Sequence, residues 1–316
     1  MKLGIDIGGS HIGIGVVSED GKIVEKSEKR ITEEEKKDIK KAIEDYIIES
    51  FGNYSKKYEI TSVGIAIPGT LNKGVIIKSV NLGVENYDII GNLKSKINIP
   101  IIIRNDAKCA AVAENVYGCL KNYDRSVFLT LGTGIGGAVI INNKLLDTGS
   151  LSGCEIGHMV IEKDGIKCNC GRNGCFEKYA SMKNFKNKLR KELGLTEKTR
   201  GEELLNIIRN NKPGRENYEI IERVVSEFIE DLSIGIANLI NIFEPEAIGI
   251  GGSFVFFEDV LMERLKNKLK EPNLLFNSRD EINIESAILG NDAGIIGATL
   301  MWKNSIKTIA IWHKMW

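Results

Sequence analysis

The chain has 316 residues, roughly twice the size of a typical domain, so we expect two domains. It carries 43 basic and 43 acidic side chains, and its formal net charge at pH 7 is zero. This balance disfavours a broad nucleic-acid or anionic-membrane surface. The sequence has no apolar run near the roughly 18–20 residues that span a bilayer, and its N-terminus lacks a signal peptide's apolar stretch. We therefore expect a cytoplasmic protein that binds neither nucleic acid nor membranes.

The first third of the chain predicts a β-hairpin followed by alternating helices and strands. Glycines form the turn of the hairpin, and polar residues follow the last predicted strand of this region. The predicted elements are strand Leu3–Ile7, turn Gly8-Gly9-Ser10, strand Ile12–Val17, a helix with apolar residues from Ile39 to Phe51, strands Ser62–Ile67 and Pro100–Arg104, and helix Ala107–Gly118.

The opening pattern returns 124 residues later, where strand Val127–Leu131, turn Gly132-Thr133-Gly134 and strand Ile135–Ile141 form a second hairpin. Two matching hairpins predict a duplicated α/β fold with two domains that face each other across a cleft. Glycine-rich hairpins also occur in unrelated proteins, which leaves a chance match open. The predicted domains are a smaller one, 1–118 plus about 292–316, and a larger one, 119–291, with the cysteine cluster.

The second half of the chain is predicted to be irregular up to Cys175 and mainly helical afterwards. Its longest helix ends at Glu244-Pro245, and a short strand, Ala247–Ile250, then leads into Gly251-Gly252-Ser253. Small residues between Leu289 and Ala298 predict a last helix that packs closely against other backbone.

Three glycine clusters, each at the end of an apolar strand, predict a phosphate site. They are Gly8-Gly9-Ser10, Gly132-Thr133-Gly134 and Gly251-Gly252. Glycine lets the backbone approach an anion and turn several N–H groups towards it. One cluster is weak evidence, but three indicate a nucleotide held between the domains. Asp6 precedes the first cluster and can hold Mg²⁺ through water, or alternatively cap the turn.

Asp106 is the candidate general base, because it follows an apolar strand at the sheet edge where open α/β sheets bind ligands. A carboxylate there can accept the proton of an attacking hydroxyl during phosphoryl transfer. Asn105 beside it can bind a neighbouring hydroxyl. The alternative is that the Asn-Asp pair only caps the helix that follows.

Three cysteines fall within eight residues, and one histidine lies shortly before them. His158, Cys168, Cys170 and Cys175 form a complete tetrahedral zinc set, which indicates a structural zinc ion because no coordination position stays open. Clustering of free thiols by chance is the alternative. The zinc site would also fix Glu155 and Glu177, which lie close to its ligands in the sequence.

With these residues in view, the sequence resembles the ROK (repressor, open reading frame, kinase) family of sugar kinases over essentially its whole length. The resemblance implies the actin-like, two-domain sugar kinase fold and transfer of phosphate from ATP, with Mg²⁺, to the C6 hydroxyl of a hexose, glucose before others. It rests on D-I-G-G-S at 6–10, I-P-G at 67–69, N-D-A at 105–107, L-G-T-G-I-G-G at 131–137, E-I-G-H at 155–158 and C-N-C-G-R-N-G-C-F-E at 168–177.

The resemblance also implies roles for individual residues. Asp106 matches the catalytic base, Asp6 would bind magnesium, and His158 would serve both zinc and sugar. The implied sugar ligands are Gly69, Asn81, Asn105, Asp106, Glu155, His158 and Glu177. The implied ATP and phosphate contacts are Asp6, Gly8, Gly9, Ser10, His11, Gly132, Thr133, Gly134, Gly251 and Gly252, and the remaining zinc ligands are Cys168, Cys170 and Cys175.

Two departures from the family pattern bear on the substrate. His11 stands where the family commonly has lysine, and Gly83-Val84-Glu85-Asn86-Tyr87 replaces a Pro-Gly-Trp stretch. N-acetylmannosamine, allose and fructose therefore stay open as substrates.

A sugar-responsive repressor is a further alternative, although such repressors carry an N-terminal DNA-binding extension and this sequence opens on the first phosphate strand. A zinc-containing interaction module with a decayed nucleotide site is the third. Relatives usually form dimers, so we expect a homodimer or larger homo-oligomer.

Overall fold

The computed structural model describes residues 1–146, 154–272, 274–276 and 282–301. The strands are β1 Lys2–Ile7, β2 His11–Val17, β3 Ile23–Arg30, β4 Val63–Ile67, β5 Thr70–Asn72, β6 Val75–Ser79, β7 Val84–Tyr87, β8 Ile101–Asn105, β9 Ser126–Leu131, β10 Ile135–Ile141, β11 Lys144–Leu145, β12 Ala247–Gly252 and β13 Asn283–Ser286.

The helices lie between and after these strands. They are α1 Ile39–Ser55, α2 Ile89–Lys94, α3 Asp106–Tyr117, α4 Glu177–Ala180, α5 Met182–Glu192, α6 Gly201–Arg209, α7 Tyr218–Phe243, α8 Glu258–Leu269 and α9 over 292–301. Short 3-10 turns occupy Glu35–Asp38, Ile156–His158 and Val255–Phe257.

Two five-stranded sheets share one plan. The first has the order β3-β2-β1-β4-β8 and the second the order β11-β10-β9-β12-β13. In each sheet an antiparallel hairpin supplies the central strand, and two parallel strands continue beyond it. Gly4 pairs with Gly64 in the first sheet, and Val127 pairs with Ile248 in the second. The duplicated α/β fold predicted from the two hairpins is confirmed.

The chain divides into two compact units. Unit 1 contains Met1–Asn122, Ile141–Cys154 and Leu289–Trp316 as far as these are described, and unit 2 contains Tyr123–Ile140 and Glu155–Ile288. This division places the first boundary after Asn122 and the last before Leu289, within four residues of the predicted boundaries, and it also groups Ile141–Cys154 with the N-terminal part. Residues 302–316 of the predicted first domain lie outside the described residues.

The central sheet of unit 1 is buried on both faces, as expected for parallel strands covered by helices. One face packs against α1, and its core includes Ile5, Ile43 and Ile47, none of them exposed. The other face packs against α3 and α9, and its core includes Cys109 and Ile296. These helices therefore hold the strand ends that carry the candidate site residues.

A small antiparallel sheet, β5-β6-β7, follows β4 in the chain. The sequence analysis did not predict it, because each strand has only three to five residues and sharp turns separate them. Lys73 and Gly74 adopt positive φ angles of 48° and 88° in the first turn. The Gly83–Tyr87 segment, which departs from the family pattern, contains the last of these strands.

Three glycines allow α9 and the sheet of unit 1 to pack backbone against backbone. A Cβ atom at Gly4 would overlap the carbonyl oxygen of Ile295, and one at Gly64 would overlap that of Ala298. A Cβ atom at Gly297 would overlap the carbonyl oxygen of Cys109 on α3. The small residues of the last helix thus have the close packing that the sequence predicts.

The core of unit 2 is built around α7, whose apolar face is buried along most of its length. The rings of Phe228 and Phe185 lie 4.5 Å apart between centroids. Gly235 of α7 receives the ring of Phe176, where a Cβ atom would overlap that ring. Because Phe176 precedes Glu177, this contact anchors a candidate sugar ligand. None of the helices in the described ranges is both long and apolar enough to cross a membrane.

We expect Gly64→Ala to lower the free energy of unfolding by about 1–3 kcal/mol, because overfilling a packed core forces the backbone apart. Gly52→Ala is the matched control, since Gly52 is exposed in α1 and a Cβ atom added there would have no neighbour within 4 Å. The control should gain about 0.5–1 kcal/mol from helix propensity. Denaturant titration measures both changes, and a Gly64→Ala protein as stable as wild type would contradict this account of the packing.

Candidate active site

Asp6 and Asp106 lie at the carboxyl ends of parallel strands in unit 1. Asp6 is the penultimate residue of β1, and Asp106 directly follows β8. Strand β4 lies between these two strands in the sheet. Both carboxyl groups are partly buried. The strand order therefore brings the candidate magnesium ligand and the candidate base to one edge of the sheet, as ligand sites of open α/β sheets require.

Asn105 and Asp106 make different hydrogen bonds at the start of α3. The side-chain oxygen of Asn105 accepts a hydrogen bond from the backbone N–H of Lys108 at 3.2 Å and so caps the helix. Its amide nitrogen donates to the carbonyl of Gly69 at 3.4 Å. Asp106 accepts a bond from the N–H of Ala107 at 2.8 Å through one carboxylate oxygen, Oδ1. The cap of α3 is therefore formed by Asn105, the residue before the candidate base.

Burial and mutual repulsion shape the electrostatics of this edge. Burial, with a smaller contribution from the nearby charge of Asp106, raises the pKa of Asp6 to about 7. Burial likewise raises the pKa of Asp106. A Cβ atom at Gly294 of α9 would come within 2.5 Å of the Asp6 carboxyl group. Two partly buried carboxyl groups at one sheet edge favour a bound cation, and oxygen ligands of this kind suit Mg²⁺.

The first glycine turn lies beside Asp6. The N–H of Gly8 donates to the carbonyl oxygen of His11 at 2.9 Å, and the Ser10 hydroxyl lies 3.4 Å from Nδ1 of His11. Gly9 faces Asn81, whose carbonyl oxygen would be 3.1 Å from a Cβ atom at Gly9. The fold thus places the candidate sugar ligand Asn81 next to the turn that is expected to bind phosphate.

The second and third glycine clusters are neighbours in unit 2. Strand β12 pairs with β9 so that Gly251 lies opposite Thr130 and Gly252 opposite Leu131. Gly252 has a φ angle of +73° and leaves no room for a side chain against Leu131. The turn from Gly132 to Gly134 is closed by a 3.0 Å hydrogen bond from the N–H of Gly132 to the carbonyl of Gly134. The two clusters therefore form one glycine-rich edge.

The three clustered cysteines and His158 converge in unit 2. Their ligand atoms all lie within 4.8 Å of one another. The sulfurs of Cys170 and Cys175 are 3.5 Å apart, and Cys168 Sγ is 3.7 Å from Nδ1 of His158. Tetrahedral zinc with bonds near 2.3 Å would place its sulfur ligands about 3.8 Å apart. The donor set and its spacing therefore fit a structural zinc ion.

The loop around these ligands is tightly folded. Gly171 and Gly174 have φ angles of +94° and +76°, which favour glycine. Hydrogen bonding from the backbone of Arg172 lowers the pKa of the Cys170 thiol to about 6. A thiolate is the form that binds metal, so the loop prepares this cysteine for coordination.

Glu177 lies between the cysteine cluster and the second glycine turn. Its Oε1 is 3.3 Å from Cys168 Sγ and 3.8 Å from Nδ1 of His158. On the other side, a Cβ atom at Gly134 would lie 2.5 Å from Oε2. Glu155 is exposed and precedes the 3-10 turn, where its carbonyl accepts the N–H of His158 at 3.0 Å. The structure thus groups His158, Glu177 and Gly134.

The sequence analysis missed several residues near these groups. In unit 1 it assigned no contact between Gly294 and Asp6, although it noted small residues in that helix. In unit 2 it missed the cations of α5, which border the second glycine turn. The sequence could have identified these cations as a group, because Lys183, Lys186 and Arg190 are spaced three and four residues apart and so share one helix face.

Two α/β units with the same sheet order, and with glycine turns after their central strands, define the actin-like ATPase fold to which sugar kinases belong. The chain belongs to the ROK family, whose sequence profile matches residues 2–305. The resemblance found in the sequence is thereby confirmed.

Individual relatives agree with this assignment. The chain is 32% identical to a glucokinase of Thermotoga maritima, over 96% of this chain and 98% of the relative. It is 31% identical to a xylose repressor of Bacillus subtilis, over 85% of this chain and 68% of the relative. Among solved structures, a ROK family glucokinase from Streptomyces griseus in complex with glucose and AMPPNP has a TM-score of 0.76 at 25% identity, over 95% of this chain and 98% of that one.

We expect Asp6→Asn to stabilise the ligand-free protein increasingly as the pH rises. With its pKa raised to about 7, the folded protein holds the Asp6 proton more tightly than the unfolded chain does. This contribution is present below the unfolded pKa near 4 and is lost as the pH rises through 7. The variant should therefore match wild type near pH 4 and exceed it by roughly 1–4 kcal/mol at pH 8.

Denaturant titrations at pH 4, 6 and 8 measure this difference. Asp20→Asn is the control, because hydrogen bonding to Lys22 lowers the pKa of that exposed carboxyl to about 2. The control should show no gain at high pH. A constant difference between Asp6→Asn and wild type across this range would contradict the raised pKa.

Proposed function

We propose that the protein is an ATP-dependent hexose kinase that transfers the γ-phosphoryl group to the C6 hydroxyl, with glucose as its best substrate. The observation that carries the proposal is the pairing of Asp6 and Asp106 at one sheet edge beside the first glycine turn, in a chain of the ROK family. This arrangement unites a proton acceptor, a cation ligand and a phosphate-binding turn, the parts that phosphoryl transfer requires.

Asp106 acts as the general base and accepts the proton of the C6 hydroxyl. Its raised pKa makes it a better acceptor than an exposed aspartate, because a base works best when its pKa lies near the operating pH. Asn105 binds a neighbouring hydroxyl while its oxygen caps α3. Asp6 would hold Mg²⁺ through water, and the bound ion would neutralise charge on the phosphates. Gly8, Gly9, Ser10 and His11, with the second and third glycine clusters, contact ATP.

The proposed sugar ligands are polar side chains that the resemblance assigns to the sugar hydroxyls. They are Asn81 and Asn105, with Gly69 next to Asn105, and Glu155, His158 and Glu177. His158 and the three cysteines would hold a structural zinc ion, and coordination would orient the imidazole of His158 and keep Glu177 in place. The zinc ion itself carries out no step of the reaction, because its four protein ligands leave no open position.

The relatives support glucose and ATP without excluding other hexoses. The Thermotoga maritima relative is a glucokinase, and the Streptomyces griseus structure holds glucose and AMPPNP. N-acetylmannosamine, allose and fructose remain in the proposal as alternatives because Gly83–Tyr87 departs from the family pattern. We place the enzyme in the cytoplasm, where ATP is available, and propose that it forms a homo-oligomer.

A second candidate function is a sugar-responsive regulator. The 31% identity to a xylose repressor of Bacillus subtilis favours it. Such a regulator would bind a sugar and transfer no phosphate. Measurement of turnover therefore separates the two candidates.

The test is a coupled assay of ADP formation with ATP, Mg²⁺ and a panel of hexoses, on wild type, Asp106→Asn and Asp88→Asn. Glucose should give the highest kcat/KM for wild type. Asp106→Asn should lower kcat by about 10²–10⁴-fold while sugar affinity is largely kept, because it removes only the base. Asp88→Asn is the control, since Asp88 caps α2 through a 2.9 Å bond from Gly91, and it should behave as wild type.

Sugar binding without turnover on any hexose would refute the kinase proposal and support the regulator. Near-wild-type turnover of Asp106→Asn would place the base elsewhere. A different hexose with the highest kcat/KM would keep the kinase and correct the substrate.

We expect one Zn²⁺ per chain and none in Cys170→Ser. Loss of zinc should weaken sugar binding by at least about 10–100-fold, because His158 and Glu177 lose their fixed positions. ATP binding should change less: Gly134 adjoins Glu177, but the first glycine turn lies in unit 1, and Gly251 and Gly252 lie on β12, outside the loop that carries the zinc ligands. Cys119→Ser, outside the cluster, is the control and should retain both the metal and the affinities.

Elemental analysis followed by separate sugar and ATP titrations makes these measurements. Equal loss of both affinities would indicate that zinc only maintains the fold. Normal sugar affinity in a zinc-free protein would refute the link between zinc and the sugar site.

A further inference from the structure

A cavity of about 390 Å³ in unit 2 lies against the second glycine turn. Gly132, Thr133 and Ser253 border it on one side, and α5 borders it on the other. The helix contributes Lys183, Lys186, Asn187 and Arg190. The sequence analysis assigned none of these helical residues to any task.

The cavity concentrates positive charge. Lys183, Lys186 and Arg190 lie on one face of α5, and within the described ranges none of the three takes part in an ion pair. Burial, followed by the nearby charge of Arg190, lowers the pKa of Lys186. By contrast, Lys188 on another face of the helix pairs with Glu227 at 2.6 Å. Like charges held together without a carboxylate disfavour one another, so the cavity suits an anion of several charges.

The fold fixes the guanidinium of Arg190 and the backbone of Lys183. The guanidinium of Arg190 donates to the carbonyl of Thr199 at 3.0 and 2.8 Å and to Oδ1 of Asn187 at 2.9 Å. The backbone N–H of Lys183 donates to the carbonyl of Gly132 at 3.0 Å, which ties the helix start to the glycine turn. The guanidinium of Arg190 and the start of α5 are therefore held in place before any ligand binds, which reduces the entropy lost on binding.

The opposite wall supplies hydroxyl groups. Thr133 and Ser253 each carry one, and the Ser253 hydroxyl lies 3.4 Å from the carbonyl oxygen of Leu131. Hydroxyls, a glycine turn and uncompensated cations together match the chemistry of a chain of phosphates. A neutral sugar carries no charge for the three cations to attract.

We propose that Lys183, Lys186 and Arg190 bind the polyphosphate chain of the phosphoryl donor and set a preference for the donor with more negative charge. The proposal rests on the proposed kinase function and deepens it by naming the residues that select the donor. A nucleoside triphosphate and an inorganic polyphosphate share this chemistry, and the experiment separates them.

The test compares wild type with Lys183→Gln/Lys186→Gln and with Lys183→Arg/Lys186→Arg. Lys191→Gln is the matched control, because Lys191 is an exposed cation of α5 outside the cavity. Calorimetry measures the Kd of ATP, ADP, adenosine and inorganic tripolyphosphate for each protein. The double Gln variant should weaken ATP binding by about 10–100-fold, as expected for loss of charged hydrogen bonds. ADP should weaken less, and adenosine by less than about twofold, because adenosine carries no phosphate.

The double Arg variant and Lys191→Gln should bind ATP like wild type. If tripolyphosphate binds wild type but not the double Gln variant, phosphates alone suffice for binding. If it binds neither protein, the nucleoside is also needed. Both results support the cations as phosphate ligands, provided that ATP binding falls in the double Gln variant. Equal loss of ATP and adenosine affinity in the double Gln variant, unchanged ATP affinity in it, or an equal effect of Lys191→Gln overturns the proposal.

Failure of this proposal is distinct from failure of the kinase proposal. Hexose phosphorylation with unchanged ATP affinity in the double Gln variant removes only the role of α5. ATP binding that depends on these cations, without phosphorylation of any hexose, removes only the kinase.

Discussion

Two carboxyl groups at one sheet edge are the constraint on which the rest of unit 1 depends. The strand order places Asp6 and Asp106 near each other, and burial raises the pKa of both. In the ligand-free protein this arrangement costs stability at neutral pH, because burial disfavours the charged form of both carboxyl groups and the charge of Asp106 further disfavours that of Asp6. The core on both faces of the sheet offsets this cost. The same proximity makes the edge a place where a divalent cation and a phosphate can bind.

The two units share one sheet order but differ in the charge of the side chains beside their glycine turns. Asp6 in β1 corresponds to Thr130 in β9, since each is the penultimate residue of its strand. Unit 1 thus carries acids beside its glycine turn, while unit 2 carries a hydroxyl there and cations on α5. One topology therefore carries an acidic edge in one unit and an edge with a hydroxyl group and nearby cations in the other. Fold alone does not determine this difference, which lies in a few side chains at the strand ends.

Much of this arrangement could be predicted from local sequence. Apolar runs that end in glycine predicted the central strands, and the spacing of Cys168, Cys170 and Cys175 indicated that they bind the same metal ion. The small strands β5 to β7 could not be predicted, because their pairing depends on turns such as Lys73-Gly74. The contact of Gly294 with Asp6 joins residues 288 positions apart, and no local pattern reports such a contact. The sequence places the cations of α5 on one face of the helix, but only the structure shows that this face borders a cavity beside the second glycine turn.

The close packing of α9 has a consequence for biosynthesis. Gly4 and Gly64 lie in strands made early in translation, whereas their partners Ile295 and Ala298 emerge almost 300 residues after the first strand. Until then, one face of the first sheet lacks α9, one of the two helices that pack against it, and unit 1 remains incomplete on the ribosome. Nearly all of unit 2, by contrast, has been translated by Ile288. The nascent chain therefore completes its second unit before its first, and it exposes an apolar sheet face to chaperones in the interval.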